Sequence, residues 1–78
     1  MSYLDELNGD IYYIIEVEIN DEKLYVFTKR VALHFADMGK RFLHKRSAMR
    51  FYGDSEFAKE HYKYRICRYS SFRDQIID

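Results

Sequence analysis

The chain has 78 residues, with eight Tyr, six Phe, one Cys and no Pro or Trp, and its 13 Lys and Arg balance 13 Asp and Glu. A chain this short makes one domain with a small core, here filled out by large aromatic side chains. Zero net charge excludes a generally basic nucleic-acid coat and a polyanionic nucleic-acid mimic, a single Cys excludes an internal disulfide, and no apolar run approaches the roughly 20 residues of a membrane span.

The charge is nevertheless polarised. Residues 1–28 hold seven acids and one base, residues 29–51 hold seven bases and one acid, and residues 52–78 hold five of each. A molecule of this kind suits docking to a charged partner.

The start, MSYLDELNGD, is acidic and lacks a signal peptide's basic beginning and apolar middle. With one Cys it reads as a cytoplasmic protein. Tyr3, Leu4 and Leu7 suit one helical turn, and Gly9-Asp10 turns into a strand.

Residues 11–29, IYYIIEVEINDEKLYVFTK, carry the clearest pattern. Ile11, Tyr13, Ile15, Val17 and Ile19 alternate with other residues at the period of a half-buried strand. After Asn20-Asp21-Glu22 the run Leu24 to Thr28 is rich in β-branched and aromatic residues. The two form a hairpin. A two-residue loop at Asp21-Glu22, or the favoured four-residue loop from Asn20 to Lys23, places Ile19 opposite Leu24, Val17 opposite Val26 and Ile15 opposite Thr28. The second face then pairs Glu18 with Tyr25, Glu16 with Phe27 and Ile14 with Lys29, and reads as half-wet.

Residues 29–38 fit either of two states. Val31, Leu33 and Phe35 alternate as in a strand, whereas Thr28 as a cap with Val31, Phe35, Met38 and a stop at Gly39 suits a short helix. The strand is preferred. Residues 40–43 predict a short extended piece that buries Phe42 or Leu43. A helix follows from Lys45, with Ala48, Phe51 and Tyr52 on one face and Lys45, Arg46 and Arg50 off it. Gly53-Asp54 breaks it, and Asp54 or Ser55 caps a second piece over residues 56–61. Residues 62–67 predict a closing strand with Tyr62, Tyr64 and Ile66 inward.

The fold class is therefore α+β. The N-terminal hairpin and a closing C-terminal strand make a small antiparallel sheet, covered on one face by one helix or two short helical pieces. Residues 1–69 form one domain, and residues 70–78 are expected as a flexible tail.

The hairpin segments YYIIEVEI and LYVFTK, the stretch RFLHKRSAMRF, in which Phe42 precedes Ala48 by six residues, and the closing YKYRI together cover residues 11–66. In this arrangement the chain resembles small accessory proteins that bacteriophages encode. The resemblance implies a protein that binds and inhibits or redirects a host protein in the host cytoplasm. It carries no motif that transfers a functional residue.

Chemistry-bearing motifs are absent from the sequence. His34, His44, His61, Asp37 and Cys67 show no CxxC, HxxxH or HExxH spacing, so no metal site, cofactor or catalytic residue is expected. The three Gly are isolated, and the Ser residues fit no nucleophile motif. Glu16 and Glu18 read as a solvated strand face. The expectation is a non-enzymatic protein.

One feature stands above this background. Lys29, Arg30, Lys40, Arg41, Lys45, Arg46 and Arg50 interleave with Phe35, Phe42 and Phe51. Such a stretch fits a solvated face, an acidic protein surface or a nucleic acid, whose phosphates the bases neutralise and whose bases stack on aromatics. An acidic protein partner is preferred over nucleic acid. Tyr12, Tyr25 and Phe27 form an alternative binding surface, since exposed aromatics are enriched at interface hot spots. An edge strand also offers pairing between two copies as a homodimer.

Overall fold

The structure, a computed structural model, describes residues 11–77. The expected turn over residues 1–10 lies outside them. The chain runs β1 (Ile11–Ile19), β2 (Glu22–Val26), β3 (Ala32–Leu33), a 3-10 turn (Ala36–Met38), α1 (Lys45–Gly53), α2 (Glu56–Lys59), β4 (Lys63–Ser70) and β5 (Gln75–Ile76). All five strands form one antiparallel sheet in the order β3-β2-β1-β4-β5. The fold is α+β, as the sequence pattern implies.

The hairpin is tighter than expected. Its loop is Asn20-Asp21, with φ of 53° and 67°. Two successive positive φ values make the two-residue connection that matches strand twist, and Asn and Asp tolerate that region without Gly. Ile19 therefore lies opposite Glu22, Val17 opposite Leu24, and Glu16 opposite Tyr25. The register slides by two residues from the four-residue-loop reading. A slide of two keeps every side chain on its expected face.

One face carries the main core. Ile15, Val17 and Val26 pack with Phe42, Ala48, Tyr52 and Phe57, and Tyr13, Ile66 and Phe51 close its margin. The helical layer has the two pieces expected around Gly53. Ser55 ends one and starts the next: its hydroxyl donates to the Tyr52 carbonyl at 2.6 Å and accepts from the Ala58 N–H at 3.3 Å. That capping satisfies backbone groups the break would orphan.

The opposite face is not half-wet. Ile14, Cys67 and Tyr69 are buried there, with Tyr25, Ala36 and Ile76 packed against them. The chain of residues 36–39 crosses this face. A Cβ at Gly39 would lie 3.2 Å from Tyr25 Cβ, a tight contact that the neighbouring strand could relieve only by giving a few tenths of an ångström. Residues 29–38 thus combine both expectations: two strand residues, then one helical turn. Thr28 Oγ1 accepts from the N–H groups of Arg30 and Val31, which sets the bend before β3.

The expected extended piece takes its place beside β1. Lys40 donates its N–H to the Val26 carbonyl at 2.9 Å, and Tyr13 and Phe42 exchange both backbone hydrogen bonds. Residues 40–42 occupy the flank of β1 that β2 vacates when it turns away toward β3. Alternation then sends Phe42 into the helical-side core and leaves Leu43 68% exposed.

The closing strand is longer than the sequence pattern suggests. β4 continues to Ser70, and β5 returns against it, pairing Ile76 with Tyr69 and Gln75 with Ser70. The segment expected as a tail from residue 70 therefore carries a strand. Its polar residues belong to the turn, in which Ser70 Oγ accepts from the Arg73 N–H, and Ile76 covers Tyr69. Of the inward trio, Ile66 is half-buried, and Tyr64 stacks on Tyr52 with ring centroids 3.9 Å apart while staying 47% exposed. Both edge strands are two residues long, so β3 pairs only with Tyr25 and Val26 of β2, and β5 only with Tyr69 and Ser70 of β4.

Candidate partner-binding surface

Two backbone contacts gather the basic residues. The Lys29 carbonyl accepts from the Glu56 N–H at 2.9 Å, which ties the loop after β2 to the start of α2. The Lys40–Val26 hydrogen bond brings residue 40 to the same end of the sheet. Phe51, on α1, sits between them. Lys29 Nζ lies 5.7 Å and Lys40 Nζ 5.5 Å from its ring centroid, both within cation–π range. Lys40 also lies 5.7 Å from the Phe42 centroid, and the Phe42 and Phe51 rings meet at 5.3 Å, tilted by 56°.

Around this cluster two adjoining clefts open to solvent. One, of about 380 Å³, is lined by Phe27, Thr28, Lys29, Arg30, Lys40 and Phe51. The other, of about 250 Å³, is lined by Lys29, Phe42, Ser47, Arg50, Phe51 and Asp54. Lys29, Arg30, Lys40 and Arg50 thus share one continuous exposed surface around Phe51. Asp54 brings an acid to it, 4.0 Å from Lys29 Nζ. That pair is solvent-exposed and contributes little to stability.

Three of the seven sequence candidates lie elsewhere. Arg41 alternates to the opposite sheet face, its guanidinium 5.5 Å from the Tyr12 ring and 5.3 Å from the Tyr69 ring. Lys45 and Arg46 are exposed on the first turn of α1, where Arg46 borders a separate cleft with His44 and Ser47. The alternative aromatic surface does not assemble. Tyr12 is half-buried beneath Arg41, and Tyr25 is half-buried against Ile14 and Cys67. Phe27, 49% exposed, joins the basic cleft instead.

The histidines and the cysteine are dispersed. His61 borders a cleft with Met49, Tyr52 and Tyr64 on the helical side, whereas Cys67 is buried on the opposite face. Among the described residues no group of three or more His, Cys, Asp or Glu converges on a point that a metal ion would occupy. Nor is any helix among them long and apolar enough to cross a membrane.

The sequence reading missed one network. Glu16 is only 6% exposed. Its Oε1 accepts from Arg65 Nε at 2.9 Å and its Oε2 from the Tyr25 hydroxyl at 3.1 Å. Burial pushes the Glu16 pKa up, but the hydrogen bond and charge of Arg65, the Tyr25 hydroxyl and the charge of Lys23 outweigh it and hold the carboxyl below its ordinary value. The network spans β2, β1 and β4, so it clamps the sheet on its second face. The correct hairpin register was the missing signal, because it alone puts Tyr25 opposite Glu16.

Comparison with protein-family models, with curated proteins and with solved structures found no match to this chain.

Proposed function

We propose that this protein is a non-enzymatic binding module that docks an acidic surface of a partner protein on the face built by Lys29, Arg30, Lys40 and Arg50. The observation that carries this reading is their convergence around Phe51 from three separate parts of the chain. Electrostatic complementarity of this kind speeds encounter and fixes register. Arg and exposed Phe on one surface also supply the side-chain types enriched in interface cores. The resemblance to small phage accessory proteins supports the further proposal that the partner is a host protein, inhibited or redirected in the host cytoplasm.

Nucleic acid fits the same charge less well. A stacked base needs a bare ring face, and of the two rings in the cleft Phe27 alone offers one, since two ammonium groups and Phe42 already crowd Phe51. The test is affinity capture from nuclease-treated lysate with the native chain and with a variant carrying Arg30→Glu, Lys40→Glu and Arg50→Glu. These side chains are exposed, so the variant keeps its circular dichroism spectrum. A protein retained by the native chain and lost by the variant is the expected result. In parallel, fluorescence anisotropy should show no oligonucleotide binding tighter than about 10⁻⁵ M at physiological salt. Tight, salt-sensitive oligonucleotide binding that the variant loses would replace this reading with the nucleic-acid one.

A further inference from the structure

We infer that the cleft between Phe27 and Phe51 takes one large apolar side chain of the partner, aromatic or aliphatic, from a segment that carries carboxylates on both sides of it. This rests on the proposed acidic partner and deepens it.

The argument starts from the shape and lining of the cleft. Its volume of about 380 Å³ lies at the low end of the range for ligand pockets, suited to one large side chain rather than an extended cofactor. Phe27 and Phe51 are its apolar walls. Thr28, Lys29, Arg30 and Lys40 supply the polar groups; three of them are cations that cannot accept a hydrogen bond, and Thr28 Oγ1 already accepts from two backbone N–H groups. An occupant must therefore be apolar where it meets the rings and bear acceptors or negative charge where it meets the rim.

Position fixes the rest. Lys29 and Arg30 lie in the loop after β2, while Lys40 enters from the strand-like piece beside β1. The cations thus come to the aromatic cleft from two separate segments. Lys29 already has Asp54 at 4.0 Å, which leaves Arg30 on one segment and Lys40 on the other to face the partner's carboxylates. Phe27 is not needed to close the core: it is 49% exposed and lies outside both buried clusters. Its exposed ring is an unshielded apolar surface directly beside like charges. An apolar anchor covers such a surface, and the flanking carboxylates offset the mutual repulsion of the cations.

The test uses two synthetic peptides, Gly-Glu-Asp-Phe-Glu-Asp-Gly and the same sequence with Ala in place of Phe. Each is titrated to millimolar concentration into the ¹⁵N-labelled chain. The expected result is that the Phe peptide shifts the amide signals of Phe27, Lys29, Arg30, Lys40 and Phe51 with an affinity about tenfold above that of the Ala peptide, since burying one aromatic ring is worth that much or more. Phe27→Ser, at an exposed position that leaves the spectrum dispersed, removes the difference between the peptides. Equal affinity of the two peptides overturns the anchor and leaves the acidic-partner reading in place. If neither peptide shifts these signals, both readings fall. If the Arg30→Glu, Lys40→Glu, Arg50→Glu variant binds the Phe peptide as well as the native chain does, the flanking carboxylates play no part, and that also overturns the inference.

Discussion

Arg65 and Glu16 lie directly opposite each other on neighbouring strands, and the guanidinium Nε donates to the carboxylate at 2.9 Å. The pair is asymmetric. The Glu16 side chain is 8% exposed and that of Arg65 54%. Losing Glu16 leaves the Tyr25 hydroxyl without its acceptor, whereas losing Arg65 leaves the buried carboxylate without its nearest counter-charge. Glu16→Ala should therefore destabilise by about 1–3 kcal/mol, as a broken buried hydrogen bond does. Glu18→Ala should cost under about 0.5 kcal/mol, as most surface changes do. Urea denaturation of both variants checks this, and equal small effects would return Glu16 to the solvated face the alternation suggested.

The same network predicts a pH profile. The Glu16 pKa is depressed on folding, so its contribution is fully present above the ordinary value of about 4.5 and is lost as pH falls through the lower folded value. Glu16→Gln should flatten the decline of the denaturation midpoint below about pH 4.5, though at a lower starting stability. An unchanged acid limb would show that other carboxylates govern it.

At the alkaline end Tyr69 acts with the opposite sign. Burial, the hydrogen bond its hydroxyl donates to Asp74 and the charge of that carboxylate push its pKa up to about 12. A raised pKa contributes stability that is complete below the unfolded value of about 10 and is lost as pH rises toward the folded one. Absorbance at the tyrosinate band should rise in two stages, with Tyr69 ionising last. Asp74→Asn should move that last stage to lower pH.

The two-sided core gives a prediction about β1. If only the helical face were buried, Ile15→Ala would cost far more than Ile14→Ala. Both side chains have no exposed surface, so each truncation should cost about 2–5 kcal/mol. Thermal unfolding of the two variants decides, and a mild Ile14 variant would contradict the packing of residues 36–39 over that face.

Asp21→Gly tests the turn. Asp21 has φ of 67°, a region that costs an L residue up to about 1–2 kcal/mol and glycine nothing. The substitution should raise the melting temperature. A fall would mean that the aspartate side chain supports the turn more than its backbone strains it.

Much of the fold was legible because local patterns and tertiary packing agree. The alternation of Ile15 and Val17 and the break at Gly53-Asp54 each have one physical solution, and of the two caps open in the sequence, Asp54 and Ser55, the chain uses Ser55. What escaped detection depends on pairing across distance. The burial of Glu16 needs Arg65, 49 residues away, and the role of residues 75–76 needs Tyr69 as a partner. In the basic stretch composition does not separate one cation from another, and only the alternation at Lys40, Arg41 and Phe42 sorts them onto two faces. Lys40 stands with Phe51, and Arg41 with Tyr12 and Tyr69.

The position of β1 between its hairpin partner and the last long strand also dictates an order of events during synthesis. Ile11 pairs with Ser70, so the central strand cannot be completed until residue 70 has been made. Through that interval one flank of a nine-residue stretch, IYYIIEVEI, stands bare, and contacts so distant in sequence close slowly. A nascent strand of this composition is a template for intermolecular pairing. Glu16 and Glu18 interrupt it with charge at its C-terminal end, which is how gatekeeper residues suppress aggregation. The acid that clamps the finished sheet thus also guards the unfinished one.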